Sequence, residues 1–201
     1  MSHEAGSPIN FHALLFALDQ HAFEQVRAAR CRRCQGPLFA AHYPRKPRGL
    51  REEASEAGQY GKRLSLCCGR DGCRARATPP SVRFLGRRVY AAIAMLLLSL
   101  RRVGIAANED PSDLIDPVPG PSWPTRSRWR SWWCMELVLT PWFAVLRGQL
   151  RAPLDAARLP GSLLGMFAGA IRDQCTSMLI ALCPLTTASL LPEHSRIAMA
   201  N

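Results

Sequence analysis

Cys31-Arg-Arg-Cys34-Gln35-Gly36-Pro37, followed a few dozen residues later by Cys68-Gly-Arg-Asp-Gly-Cys73, decides how this chain is read. Two close cysteine pairs joined by a strand-length return are what a tetrahedral metal site needs. Each pair grips the ion from a tight turn, and four thiolates close the coordination sphere. Zn2+ suits that set and has a structural role there, because no position is left for water. The second pair is spaced more widely than the first, and Gly69 and Gly72 supply the looser turn. Neighbouring arginines favour the thiolate form. The expected ligands are Cys31, Cys34, Cys68 and Cys73, in a zinc ribbon. Cys67 adjoins Cys68, so either is a candidate for the third ligand, with His42 and Cys134 as weaker substitutes. A redox pair at Cys31 and Cys34 is the competing reading. It would want a strand before the motif and a helix after it, whereas here a helix precedes and a knuckle-like turn follows.

Charge points the same way. The chain has 201 residues with a formal net charge of +11. Between Arg30 and Arg102 there are 17 Lys/Arg and 4 Asp/Glu, so this window alone carries +13 and the remainder is slightly acidic. A positive field concentrated on a metal module fits a polyanionic partner, with phosphate neutralisation supplying affinity. The first thirty residues include Glu4, Asp19, Glu24 and three histidines, so no secretory signal is expected. The apolar run from Val89 to Leu100, flanked by arginine pairs, is too short to span a bilayer and reads as a buried helix. Eight cysteines without an export signal imply reduced thiols and a cytoplasmic protein that does not engage membranes.

The fold class expected is mainly α with a small β zinc ribbon and a helical core. Its parts are an N-terminal helix (1–30), the ribbon (31–85), a helix with a Pro-rich loop and a second helix (86–140), and C-terminal helices with a tail (141–201). Asn10 caps the first helix, with Phe11, Leu14, Leu15, Leu18, Ala22 and Val26 at helical spacing. His12 and His21 on it are expected to pack or be solvated. Tyr43-Pro-Arg-Lys-Pro-Arg-Gly49 is too rich in proline for regular structure. Strands are expected over 60–66 and 74–78, and a helix from Gly86 to Val103 with Tyr90, Ile93, Leu97 and Leu100 on one face. Residues 108–124 hold five prolines and break the chain, leaving room for one turn near Asp113-Leu114-Ile115. From Thr125 an Arg/Trp-rich helix runs towards Thr140 and stops or kinks at Pro141. Further helices are expected over 142–151 and from Ser162 to about Cys183, with a frayed tail after Pro184.

A zinc ribbon followed by two helices resembles the DNA-recognition module of bacterial insertion-sequence transposases and their short accessory proteins, a ribbon plus a helix-turn-helix. The resemblance rests on Cys31-x-x-Cys34, the knuckle with its trailing Cys73-Arg74-x-Arg76, the step through Phe84-Leu85-Gly86-Arg87-Arg88, and the helix from Thr125. Tyr43–Gly49 and Ser127-Arg-Trp-Arg-Ser-Trp-Trp133 also resemble bacterial proteins described as transposase-like. It covers roughly residues 25–140, and implies a mobile-element accessory that works with a transposase or self-associates through its C-terminal helices. One departure is plain: a helix-turn-helix joins its helices by three or four residues, and here a long proline-loaded stretch intervenes. Either Gly86–Val103 is the first helix across a long loop, or the motif has decayed.

On this reading duplex DNA is held through Arg45, Lys46, Arg48, Lys62, Arg63, Arg74, Arg76, Arg87 and Arg88, and bases are read by Arg126, Arg128 and Arg130. Trp129, Trp132 and Trp133 would anchor that helix while its arginines point outward. Catalysis is not expected. Phosphoryl transfer by a transposase needs three carboxylates on a β-rich scaffold, and after Pro141 the acids are Asp155, Asp173 and Glu193. The rival reading is a zinc-stapled protein that binds another protein or RNA.

Overall fold

The structure is a computed structural model that describes residues 10–50, 59–85, 90–100, 121–150 and 153–187. It is mainly α with a small antiparallel β module, and its larger core is helical. Helix α1 spans Phe11–Ala28, and the Asn10 side chain accepts the His12 N–H at 2.9 Å, as its capping role requires. Arg30 takes the left-handed conformation just past the helix end (φ 63°), which turns the chain sharply into the first knuckle.

Five short strands follow: β1 (Leu38–Ala40), β2 (Tyr43–Pro44), β3 (Lys62–Arg63), β4 (Leu66–Cys68) and β5 (Arg76–Ala77). β4 lies between β1 and β5 in one antiparallel sheet, while β2 and β3 form a separate antiparallel pair. The expected irregularity of Tyr43–Gly49 is therefore corrected at its start, where Tyr43 and Pro44 pair with Arg63 and Lys62. An edge strand tolerates proline, because its missing N–H is needed by no ladder partner there. The strand expected over 60–66 is split between β3 and β4, and the one over 74–78 shortens to β5.

Helix α2 (Ala92–Leu100) forms the centre of the helical part, and from Ala91 to Leu97 every residue is buried. It starts later than expected, because Tyr90 still bridges Arg48 and the Ala91 N–H bonds the Arg48 carbonyl. Nor is it amphipathic: with seven apolar or small residues in succession it is enclosed on all sides. Residues 86–89 and 101–103, and the turn expected near Asp113, lie outside the described residues.

Helix α3 (Trp123–Ser131) packs on α2, widens into a π turn (Trp132–Glu136) and tightens into a 3-10 turn (Leu137–Leu139). Trp129 and Trp133 are buried, and the Trp133 Nε1–H donates to Ser99 Oγ on α2 at 3.1 Å. Pro141 does end this run, and it also opens helix α4 (Pro141–Gln149), with Thr140 Oγ1 capping the Phe143 N–H. The single helix expected from Ser162 to Cys183 is two: α5 (Gly161–Leu164) and α6 (Ile171–Leu182). Gly169 divides them at φ +98°, a conformation L side chains avoid. Most of the tail expected to fray after Pro184, residues 188–201, lies outside the described residues, and only its first residues are described. Residues 183–186 form a 3-10 turn, and buried Thr186 accepts the Ser81 N–H through its hydroxyl at 2.8 Å.

Helix α1 joins the two cores. Phe11 and Leu15 belong to the helical core, while Phe23 belongs to a smaller one with Cys31, Leu38, Leu64, Leu66 and Cys68. Between them Asp19 is fully buried and accepts from Ser81 Oγ, Val82 N and Arg83 Nε. A carboxylate so enclosed is tolerable only because its lone pairs are met by donors and a paired cation. It fixes the segment leading from the ribbon into the helices.

Candidate metal centre

The sulfurs of Cys31, Cys34, Cys68 and Cys73 lie within 4.8 Å of one another. Cys31 Sγ is 3.8 Å from Cys73 Sγ, and Cys34 Sγ is 3.4 Å from Cys68 Sγ. Those contacts are far longer than a disulfide bond of ~2.05 Å, and all eight cysteines are free. Four sulfurs tetrahedrally placed at ~2.3 Å from one ion would stand about 3.8 Å apart, so the cluster has the dimensions of a metal site. Four thiols converge here from two turns 34 residues apart at the closest sulfur pair. Charge-neutral packing would not by itself select that arrangement.

Each knuckle is shaped by its backbone. Gln35 N–H donates to the Cys31 carbonyl at 2.7 Å, Cys31 N–H donates to the Gly36 carbonyl, and Gln35 adopts φ 58°. Gly36 sits against the sulfurs: a Cβ there would stand 3.1 Å from Cys68 Sγ and 3.2 Å from Cys34 Sγ. In the second knuckle Gly72 has φ +79° with open space around it, so its glycine serves conformation, as expected. Gly69 is different. A Cβ there would overlap the Phe39 ring, so this glycine makes room for an aromatic.

Strand alternation decides which of Cys67 and Cys68 joins the cluster. Cys68 pairs opposite Leu38 and Cys67 opposite Phe39, so neighbours on β4 face opposite sides of the sheet. Cys68 joins the buried side with Leu38. Cys67 faces outward, its sulfur near the Arg74 carbonyl at 3.5 Å. His42 Nδ1 is occupied by the Ser65 N–H, Cys134 packs against the helical core, and neither is in the cluster.

Backbone donors prepare the thiols for a cation. Cys31 is held down to about 7, because the N–H groups of Cys34 and then Arg33 donate to its sulfur. Cys68 also receives a donor, the Arg70 N–H at 3.5 Å, but burial and the neighbouring sulfurs outweigh it and push the thiol up to about 12. Four adjacent thiols cannot all become anions unaided. A divalent ion at their centre removes that obstacle, since a coordinating thiol is deprotonated outright.

The cationic residues sort by exposure. Lys46, Arg48, Lys62, Arg74 and Arg76 are exposed on the ribbon. So are Arg30, Arg32, Arg33 and Arg70, around the two knuckles. Arg45 is half-buried, its guanidinium 5.4 Å from the centre of the Phe84 ring. Arg63 is a correction: it is buried and donates to the Pro79 carbonyl at 2.6 Å, so it is a structural residue that no phosphate reaches. On the two-residue strand β3 alternation sends Lys62 outward and Arg63 inward. Arg87 and Arg88 lie outside the described residues. Arg126, Arg128 and Arg130 are exposed along α3 while Trp129 is buried.

No family model matches the chain, and no curated protein or solved structure matches it either. Among the described residues no helix is long and apolar enough to cross a membrane.

Proposed function

We propose that the protein is a zinc-stabilised DNA-binding protein that acts by recognition, without a catalytic domain of its own. Zinc is favoured for the centre because a closed, tetrahedral, all-thiolate set suits a structural ion. The observation that carries the reading is the surface around that centre. Among the described residues from 30 to 85, nine cationic side chains are exposed against a single acid, Asp71. Such a field attracts a polyanion whatever its sequence. The arginines of α3 would supply any choice among sequences, reading base edges from one helix face. The resemblance to transposase recognition modules adds the setting, an accessory to a mobile element.

Electrophoretic mobility shift of a labelled duplex, with protein as purified and after chelation, tests this directly. Binding that disappears with the metal and returns with Zn2+ is the expected result. No binding to any nucleic acid at low salt would overturn it. Exposed Met135, Leu139 and Val145, in three successive elements of the helical part, favour a second reading in which that part docks a protein partner.

A further inference from the structure

The side of the β1-β4-β5 sheet that faces away from the sulfurs carries a cross-strand row: Phe39 opposite Cys67, and Cys67 opposite Arg76. Directly opposed residues of antiparallel strands share a face. Phe39 is 56% exposed, an unusual place for a phenyl ring in a module whose other large apolar side chains, Leu38, Leu64 and Leu66, are buried. Its position is nonetheless defined, because one ring edge rests where any side chain on Gly69 would be. The neighbouring guanidiniums are also held. Arg76 donates to the Ala41 carbonyl at 3.3 Å, and Arg70, next to Gly69, donates to the Cys34 carbonyl at 3.3 Å. The result is an exposed aromatic ring, set by Gly69, in a cross-strand row that ends on the cationic Arg76.

We infer that this sheet face is a binding site for single-stranded DNA, with Phe39 stacking on an unpaired base and Arg76 on the same face, helped by Arg70 of the adjoining knuckle, attracting the flanking phosphates. The inference rests on the DNA-binding reading above and adds the form of DNA preferred. A base presents its π face to a side chain only when it is unpaired and unstacked, and a base–aromatic stack tolerates any sequence. In a duplex the same ring meets groove edges and backbone, where it gains little. A protein partner is a poorer fit, because one phenyl ring amid cations offers too little apolar area for an interface core. Pre-positioning lowers the ordering cost of the contact, so most of the stacking energy appears as affinity.

The test uses the full-length, zinc-loaded protein and fluorescence anisotropy at one fixed salt concentration. Probes are an oligothymidylate of about 12 nucleotides, a duplex of equal length, and an abasic strand with the same phosphates; the length falls within known single-strand site sizes. Wild type should bind the oligothymidylate more tightly than the other two. Phe39→Leu keeps bulk but removes the π face, and should weaken oligothymidylate binding by about 5- to 150-fold. It should change duplex and abasic binding by less than about twofold, since neither offers the ring a free base. Phe39→Tyr should retain wild-type binding, which separates stacking from damage to the second knuckle. Equal affinity for all three probes, or full binding by Phe39→Leu, would overturn the inference and leave DNA binding standing. Failure of wild type to bind any probe would remove the DNA-binding reading and this one with it.

Discussion

At the scale of single residues, the metal centre depends on which atoms each position can hold. Serine at Cys31, Cys34, Cys68 or Cys73 removes a ligand from a closed set, so metal should be lost from each variant. Serine at Cys67, on the outward face, should keep it; metal analysis of the purified variants reads both outcomes. Gly36→Ala is the subtler case. Its methyl would press on two sulfurs at 3.1 and 3.2 Å, so zinc should transfer to a competing chelator faster than from wild type. Gly148→Ala meets nothing within 4 Å on α4, and should stabilise by up to about 1 kcal/mol in urea unfolding. The four-cysteine pattern was legible in the sequence because the spacing within each pair is local, except for the choice between Cys67 and Cys68. That Gly69 serves Phe39 was not, because the two residues meet only once β1 pairs with β4.

Among elements, α1 carries the connection between ribbon and helices. Replacing Asp19 with Ala leaves Arg83, whose side chain is wholly buried, without its 2.8 Å partner, and strands the Ser81 and Val82 donors. Breaking a buried pair in this way costs roughly 3–5 kcal/mol, so the urea midpoint should fall steeply. In the sequence Asp19 registers only as an acid near the N-terminus. Its importance comes from helix periodicity, which places it on the face shared with Leu15 and Phe23. His12, on the same helix, gives a pH signature. Burial, and then the Arg172 charge, lower its pKa below the ordinary value near 6.5. Below that value the unfolded chain takes up a proton that the folded chain resists, so stability present at neutral pH should decline as pH falls through about 6.5. His12→Gln should flatten that decline in denaturation curves recorded across the same range.

For the molecule as a whole, the two cores differ in what sustains them. Among the described residues the core around the cysteines consists of Phe23, Leu38, Leu64, Leu66, Cys31 and Cys68, a cluster small enough that its loops would depend on a metal. The helical core is several times larger and shares no buried residue with it. Chelation should therefore abolish DNA binding while most of the helical circular dichroism survives. Salt provides the complementary measurement. With about six phosphate contacts, the log–log dependence of duplex affinity on salt should have a slope near −5. Lys46→Gln, Arg48→Gln and Lys62→Gln together should reduce its magnitude by up to about 3. Arg63→Gln should instead lower stability, because that guanidinium faces the interior.

The sequence by itself determined the mainly α class, the two knuckles, the buried apolar helix and the tryptophan-anchored α3, since each depends on composition or spacing within a short window. Tertiary structure decided which sulfur of Cys67 and Cys68 turns inward, which basic residues reach solvent, and where the last helix divides. Those outcomes follow from pairing register and from burial against distant segments. Lys62 and Arg63 make the point. Adjacent and alike in charge, they are sent to opposite sides of the chain by a strand whose partner, Tyr43–Pro44, lies about twenty residues earlier.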